Sequence, residues 1–241
     1  MDKKNTNFGV NMQTEAFSYE RDMAPLTYFA GRICHDLNNL ITSSMGAASL
    51  LEMKLRVAKI NTLESEVSRL QHSINNYQIF TQRLGQLFLG TSDLKIATPF
   101  HMVLDSSCEG LSRSISIKPV SKQIMAQVDA AQMTIALKEI ILNAIESSQP
   151  DGLIEVSADL VQREGRPCIH FVCKDCGKGI QPEDMPKIFT PFFSKMKRGN
   201  LVGLGLSQAG NILYQHGSVL TVHSLAGIGT TVEFFLEADL V

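Results

Sequence analysis

Between Leu26 and Leu55, apolar residues recur at three- and four-residue steps: Leu26, Ala30, Ile33, Leu37, Leu40, Ile41, Ala48, Leu51 and Leu55. That spacing predicts one long helix with a single buried stripe, because side chains three and four positions apart share a face. A second, heptad-like stripe runs through Leu63, Val67, Leu70, Ile74, Tyr77, Leu84 and Phe88 to Gly90. Asn61, with Glu64 three residues on, reads as the box that starts this second helix. Each helix carries only one apolar stripe, and two such helices alone bury too little surface. Pairing with a second copy into a four-helix bundle covers the stripes; packing the hairpin onto the rest of its own chain is the other solution.

From Pro99 the pattern mixes both periods. Helices are expected over 101–109, over 129–148 behind an Asp129 cap with Gln132 completing the box, and over 204–216, stopped by Gly217. Strands are expected over 114–118, 123–128, 153–160, 168–174, 219–225 and 230–236, with Glu164-Gly165-Arg166-Pro167 turning between the third and fourth. The fold class is therefore α+β: a helical hairpin at 23–92, a linker at 93–98, and an α/β sandwich of one helical layer on one mixed sheet at 99–241. Residues 1–22 are polar and aperiodic, and are expected to form a mobile tail or a short leader helix.

Composition narrows the partners. The 241 residues are 44% hydrophobic and 19% charged, which suits a globular chain with one or two cores. A net charge of -2 points to neither nucleic acid nor an anionic membrane surface. Apolar runs break well short of the ~18 residues a membrane span needs. Met1-Asp2-Lys3-Lys4-Asn5 has no signal-peptide core behind it, so a cytoplasmic protein without a membrane span is expected. Five cysteines at irregular spacing fit free thiols in a reducing compartment, and the lone pair Cys173 and Cys176 reads as small buried thiols rather than a metal site.

Three stretches carry candidate chemistry. In Cys34-His35-Asp36-Leu37-Asn38-Asn39, His35 falls opposite the apolar stripe at ~100° per residue, with Asn39 one turn on and Asp36 beside it. An exposed imidazole held by a neighbouring carboxylate is an oriented nucleophile, although a solvated surface histidine has the same pattern. On the helix over 129–148, Glu139, Asn143 and Glu146 stand opposite the apolar face of Met133, Leu137, Ile140, Ile141 and Ala144, where oxygens one turn apart can hold Mg²⁺. The third stretch runs through Asp175-Cys176-Gly177-Lys178-Gly179-Ile180, Phe189-Thr190-Pro191-Phe192-Phe193 and Gly203-Leu204-Gly205-Leu206-Ser207. Its carboxylate can accept from an exocyclic amine, its glycines let backbone approach a ligand, and its last glycines open a helix whose N-terminus favours phosphate. Lys195, Lys197 and Arg198, just before that helix, are read as phosphate contacts.

With these runs in this order, residues 24–241 resemble the catalytic core of a two-component sensor histidine kinase of the H-D-L-N-N type, with the ATP-binding fold of gyrase-like ATPases. The resemblance implies that His35 accepts phosphate, that Asp36 activates it, and that Asn39 positions water for dephosphorylating the partner. It assigns 137–146 to the N box, with Asn143 on Mg²⁺, and Asp175, Gly177 and Gly179 to the adenine-binding glycine box. Phe189 and Phe193 match the aromatic box, Gly203 and Gly205 with Leu206 the second glycine box, and Gly227-Ile228-Gly229-Thr230 the last glycine turn, with Thr230 at the nucleotide. Glu139 resembles the catalytic glutamate of gyrase-like ATPases. The lid departs from the family: Leu201-Val202 replace its Gly-Thr, and Met196 stands where a lysine is common. The expected activity is ATP-dependent autophosphorylation of His35 in a homodimer and transfer to an aspartate of a response regulator receiver domain, with phosphatase activity on that regulator as a second possible job. The expected cofactors are ATP and Mg²⁺. No sensor domain precedes His35 in this sequence, so the input is expected from a separate sensor or partner, from the short leader, or from a region absent in this chain. The alternatives are a histidine phosphotransferase that relays phosphate without using ATP, and a gyrase-like ATPase.

Overall fold

The structure, a computed structural model, describes residues 16–18, 24–58, 63–88, 94–111, 115–149, 151–195 and 203–240, and within them all side chains except those of 24–35, 82–84, 86–88 and 240. The Asn61 cap, the linker residues Thr91-Ser92-Asp93 and most of the leader lie outside the described residues. In chain order the elements are β1 (Ala16–Ser18), α1 (Ala24–Val57), α2 (Glu64–Phe88), β2 (Ile96–Pro99), α3 (Phe100–Cys108), β3 (Ser116–Ile117), β4 (Ile124–Val128), α4 (Ala130–Ser147), β5 (Ile154–Arg163), β6 (Arg166–Asp175), α5 (Gly205–Gln215), β7 (Thr221–Leu225), β8 (Gly229–Glu237) and β9 (Asp239–Leu240). No helix among the described residues is long and apolar enough to cross a membrane.

Helices α1 and α2 run antiparallel, with Gln71 donating to Glu52 at one level and Thr81 to Asn38 at another. Ala48, Val67, Ile74 and Thr81 are buried between them. Other described stripe residues are not: Leu40, Leu51, Leu63, Leu70 and Tyr77 stay 65%, 44%, 46%, 47% and 61% exposed. The expected single buried stripe is therefore split in two. Two helices can cover only the row that faces the other helix, and the neighbouring row is left over.

The C-terminal half is a six-stranded sheet in the order β1-β7-β8-β6-β5-β3, with a small second sheet β2-β4-β9. Strands β3 and β5 are parallel; the other pairs are antiparallel. Ile154, Val156 and Ala158 of β5 and Val232, Phe234 and Leu236 of β8 point into the core at period two, and Phe171 stacks on Phe234 at 4.9 Å between centroids. Met133, Leu137, Ile140 and Ile141 of α4 are fully buried, and each such burial is worth ~1.5–3 kcal/mol.

Five expectations change. Part of the supposed mobile leader, Ala16–Ser18, pairs with β7 as an edge strand, and the end of the supposed linker, 96–98, pairs with β4 together with Pro99. Both runs are too short to show a period, and their pairing is non-local. The single expected sheet gains a second one for the same reason. The 153–160 and 168–174 strands extend to a two-residue turn, Glu164-Gly165, with φ of 53° and 79°. The polar outer faces of Gln162, Arg163 and Arg166 had hidden the strand ends.

The fifth change is at the α4 cap. Asp129 Oδ1 accepts from the N–H groups of Ala131 and Gln132 at 3.0 and 3.1 Å, as expected of a cap. Gln132 does not close the box, however: His216 Nε2 accepts the Asp129 N–H at 3.1 Å, while its Nδ1 donates to the Ile212 carbonyl at 2.8 Å. This arrangement needs a neutral imidazole, and burial holds the His216 pKa below its ordinary value of 6.5. A base depressed in the fold keeps its full stabilising effect above that ordinary value and loses it as pH falls below it, because the unfolded chain then binds the extra proton. The melting temperature should therefore fall between pH 7 and 5, with a shallower slope in His216→Gln. Equal slopes in the two proteins would remove His216 as the cause.

Candidate active site

The end of β6 carries the central group. Asp175, flanked in the sheet by Ile154 and Thr230, is buried, and its Oδ1 accepts the Gly177 N–H at 2.8 Å. Burial raises its carboxyl above the ordinary 3.8, partly offset by hydrogen bonds from the Gly177 and Thr230 backbone and the Ser147 side chain. The following loop is fastened on both sides. The Lys178 N–H donates to the Ser147 carbonyl at 3.2 Å, the Ile180 N–H to Ser224 Oγ at 2.9 Å, and the Gly227 N–H to the Lys178 carbonyl at 2.7 Å. Gly179 has φ of +63°, and a Cβ there would lie 2.1 Å from the Leu225 carbonyl oxygen. Only glycine lets the loop press against the β7–β8 turn.

Beside Asp175 opens a cleft of about 290 Å³. Its apolar walls come from Ala144, Ile180, Ile188, Leu206, Val222 and Val232, while Asn143, Lys178, Asp184 and Lys195 supply polar groups. A flat, largely apolar heterocycle with an exocyclic amine would meet apolar contacts on its faces and an acceptor at its edge. Leu204, the N-cap of α5, gives that helix no side-chain cap, and Leu206 of its first turn lines the cleft. An anion is favoured at such a terminus. Asn143 Nδ2 donates to the Glu139 carbonyl at 2.9 Å, which leaves the carboxamide oxygen as its other polar end. That oxygen suits a hard cation completed by phosphates and water, as Mg²⁺ requires.

Of the sequence-predicted site residues, Asn143, Asp175, Gly179, Phe193, Lys195, Leu206 and Thr230 line this one cleft. Gly177 lies behind Asp175 against Ser147. Gly203 and Gly205 lead into α5, and a Cβ on Gly205 would come within 2.7 Å of Glu139 Oε2, so α4 and α5 meet closely there. Glu139 packs at that contact rather than lining the cleft, and Phe189 packs against the core. Lys195 Nζ is paired with Asp184 at 2.5 Å. Lys197, Arg198, Met196, Leu201 and Val202 lie outside the described residues. His35 is in α1 with its side chain outside the described set, and Asp36 and Asn39 are exposed on the same helix.

Sequence reasoning missed Asp184, Ile188, Lys178 and Ser147. Ser147 had a signal, since 139, 143 and 147 fall on one helix face; Asp184 had none, being an acid in a polar loop. Cys173 is buried, with its thiol pushed up to about 12 mainly by burial, whereas Cys176 is exposed. Among the described residues no three His, Cys, Asp or Glu side chains converge as a metal site.

Residues 128–240 match the family described as histidine kinase-, DNA gyrase B-, and HSP90-like ATPase. The sensor histidine kinase ZraS of Salmonella typhimurium is 25% identical over 229 residues, covering 92% of this chain and 48% of the relative. The sensor kinase CckA of Brucella abortus is 25% identical over 232 residues, covering 89% of this chain and 24% of the relative. The chain thus spans about half or less of the length of these curated relatives. Among solved structures, full-length ShkA in complex with AMPPNP shares the fold with a TM-score of 0.66 at 18% identity, over 89% of this chain and 46% of that one. The mycobacterial sensor histidine kinase MprB aligns with a TM-score of 0.51 at 24% identity, over 61% of this chain and 100% of that one. With a match to the ATPase family over residues 128–240 and this similarity to sensor kinases along most of its length, the chain resembles the catalytic core of the two-component sensor histidine kinases.

Proposed function

We propose that the chain is an ATP-dependent protein histidine kinase that phosphorylates His35 and passes the group to an aspartate of a response regulator receiver domain. The observation that carries this reading is the Asp175 cleft, in which a buried acceptor, apolar walls and an uncapped helix start converge. Asp175 accepts from the adenine amine, and the α5 N-terminus and Lys195 hold the phosphates. When bound, Mg²⁺ on the Asn143 oxygen would neutralise charge on those phosphates. A ring nitrogen of His35 then bonds to the γ-phosphorus as the bond to the bridging oxygen breaks and ADP leaves. Asp36 orients the imidazole for that attack. In the second transfer the N–P bond breaks as the regulator's carboxylate takes the phosphoryl group. Asn39, which cannot act as a base, positions a water whose attack on the regulator's phospho-aspartate breaks the acyl-phosphate bond and releases inorganic phosphate.

The left-over row of Leu40, Leu51, Leu63, Leu70 and Tyr77 supports a homodimer through a four-helix bundle. Incubation with γ-labelled ATP and Mg²⁺ should label the wild type with acid-labile phosphate, and His35→Gln should abolish the label. Asp36→Asn should slow labelling by ~10² to 10⁴. A wild type that binds ATP without taking label, yet accepts phosphate from a phosphorylated receiver domain, would favour the relay reading instead.

A further inference from the structure

Phe192 and Phe193 are neighbours that serve different places. Phe193 lines the cleft. The Phe192 ring, 53% exposed, lies 6.1 Å from the Phe80 ring of α2, tilted by 48°. Phe192 adopts φ of 70°, the left-handed region that a bulky side chain disfavours. Its N–H donates to the Gly203 carbonyl at 2.9 Å, and Gly203 packs so closely that a Cβ there would lie 2.8 Å from the Phe192 carbonyl carbon. The strained peptide is therefore clamped between the cleft wall and the residues that open α5.

Beyond Phe80 the contact continues. Thr81, the next residue, is 2% exposed and donates to Asn38 Oδ1 at 2.6 Å. Asn38 lies in the H-D-L-N-N run, one turn after His35. A contiguous line thus joins the cleft to the His35 turn: Phe193, the strained Phe192, Phe80, Thr81 and Asn38.

We infer that Phe192 is a positioning residue that couples occupancy of the Asp175 cleft to the α1–α2 packing beside His35, through Phe80 and the Thr81–Asn38 hydrogen bond. The inference rests on the cleft binding nucleotide, as proposed above. A ligand that shifts Phe193 or the α5 start must turn the shared 192–193 peptide. A left-handed phenylalanine has a lower-energy backbone state to turn into, so the element has two arrangements that the ligand can bias. A ring that merely covered surface would have no reason to respond to nucleotide.

The test uses the full chain with AMPPNP and Mg²⁺. Calorimetry measures binding, and hydrogen exchange follows the backbone amides of residues 36–42 with and without nucleotide. The wild type should change exchange there by about fivefold or more on binding. Phe192→Gly keeps the left-handed backbone and deletes the ring; it should bind nucleotide within about threefold of wild type but lose the exchange response. Phe80→Ala should do the same, the double variant should add nothing further, and Phe192→Tyr should restore the response. Failure of the wild type to bind AMPPNP would overturn the nucleotide reading itself. Normal binding with no response in the wild type, or a response that survives in Phe192→Gly, would overturn the coupling alone.

Discussion

Asp175→Asn should weaken ATP binding by about 10- to 100-fold, the scale of one hydrogen bond to a charged group. The carboxylate only accepts, and Oδ1 already takes the Gly177 N–H. A carboxamide offers one oxygen for that N–H and the adenine amine together, so its NH₂ faces a donor on one side or the other. The substitution should not cost stability through charge. Burial raises the carboxyl above its ordinary value, so the fold binds its proton more tightly than the unfolded chain does. Its ionised form therefore opposes folding increasingly as pH rises above 3.8, and removing the charge at neutral pH relieves that opposition. Lost affinity with an unchanged or higher melting temperature marks a group kept for binding rather than for folding. Calorimetry with ATP and GTP checks the assignment; equal affinity for both nucleotides in the wild type would show that Asp175 does not read the adenine edge.

Leu70→Asp should convert the proposed homodimer to a monomer at micromolar concentration. Leu70 is 47% exposed in the single chain and shares its row with Leu63 and Tyr77, beside the buried row of Val67, Ile74 and Thr81. In a two-fold interface the same side chain appears twice, so one substitution buries two like charges. Uncompensated burial of charge costs ~3 kcal/mol or more, which weakens association by at least about two orders of magnitude. Leu40→Asp should act alike from α1, where Leu40 is 65% exposed. The substitution Val67→Asp should instead destabilise the hairpin itself, because Val67 faces α1 within the chain. Light scattering distinguishes the cases, and a monomeric wild type would remove the bundle.

What could be read in the chain was what neighbouring residues decide together. The 3.6-residue period of α4, the Asp129 cap, and the glycines after Asp175 each belong to one short run whose local geometry repeats wherever that run occurs. The cleft residues Asn143, Asp175, Gly179 and Leu206 were legible for that reason. Tertiary structure decided the pairings across sequence distance. Ala16–Ser18 became a strand because β7 offered an open edge, and the Asp129 N–H went to His216, 87 residues away, rather than to Gln132. Lys195 met Asp184, and two adjacent phenylalanines parted, one to the cleft and one to Phe80. The split of the α1–α2 heptad into a covered and an open row has the same origin. Periodicity states which residues seek burial, whereas which of them obtain it depends on how much partner surface the assembled chain brings within reach.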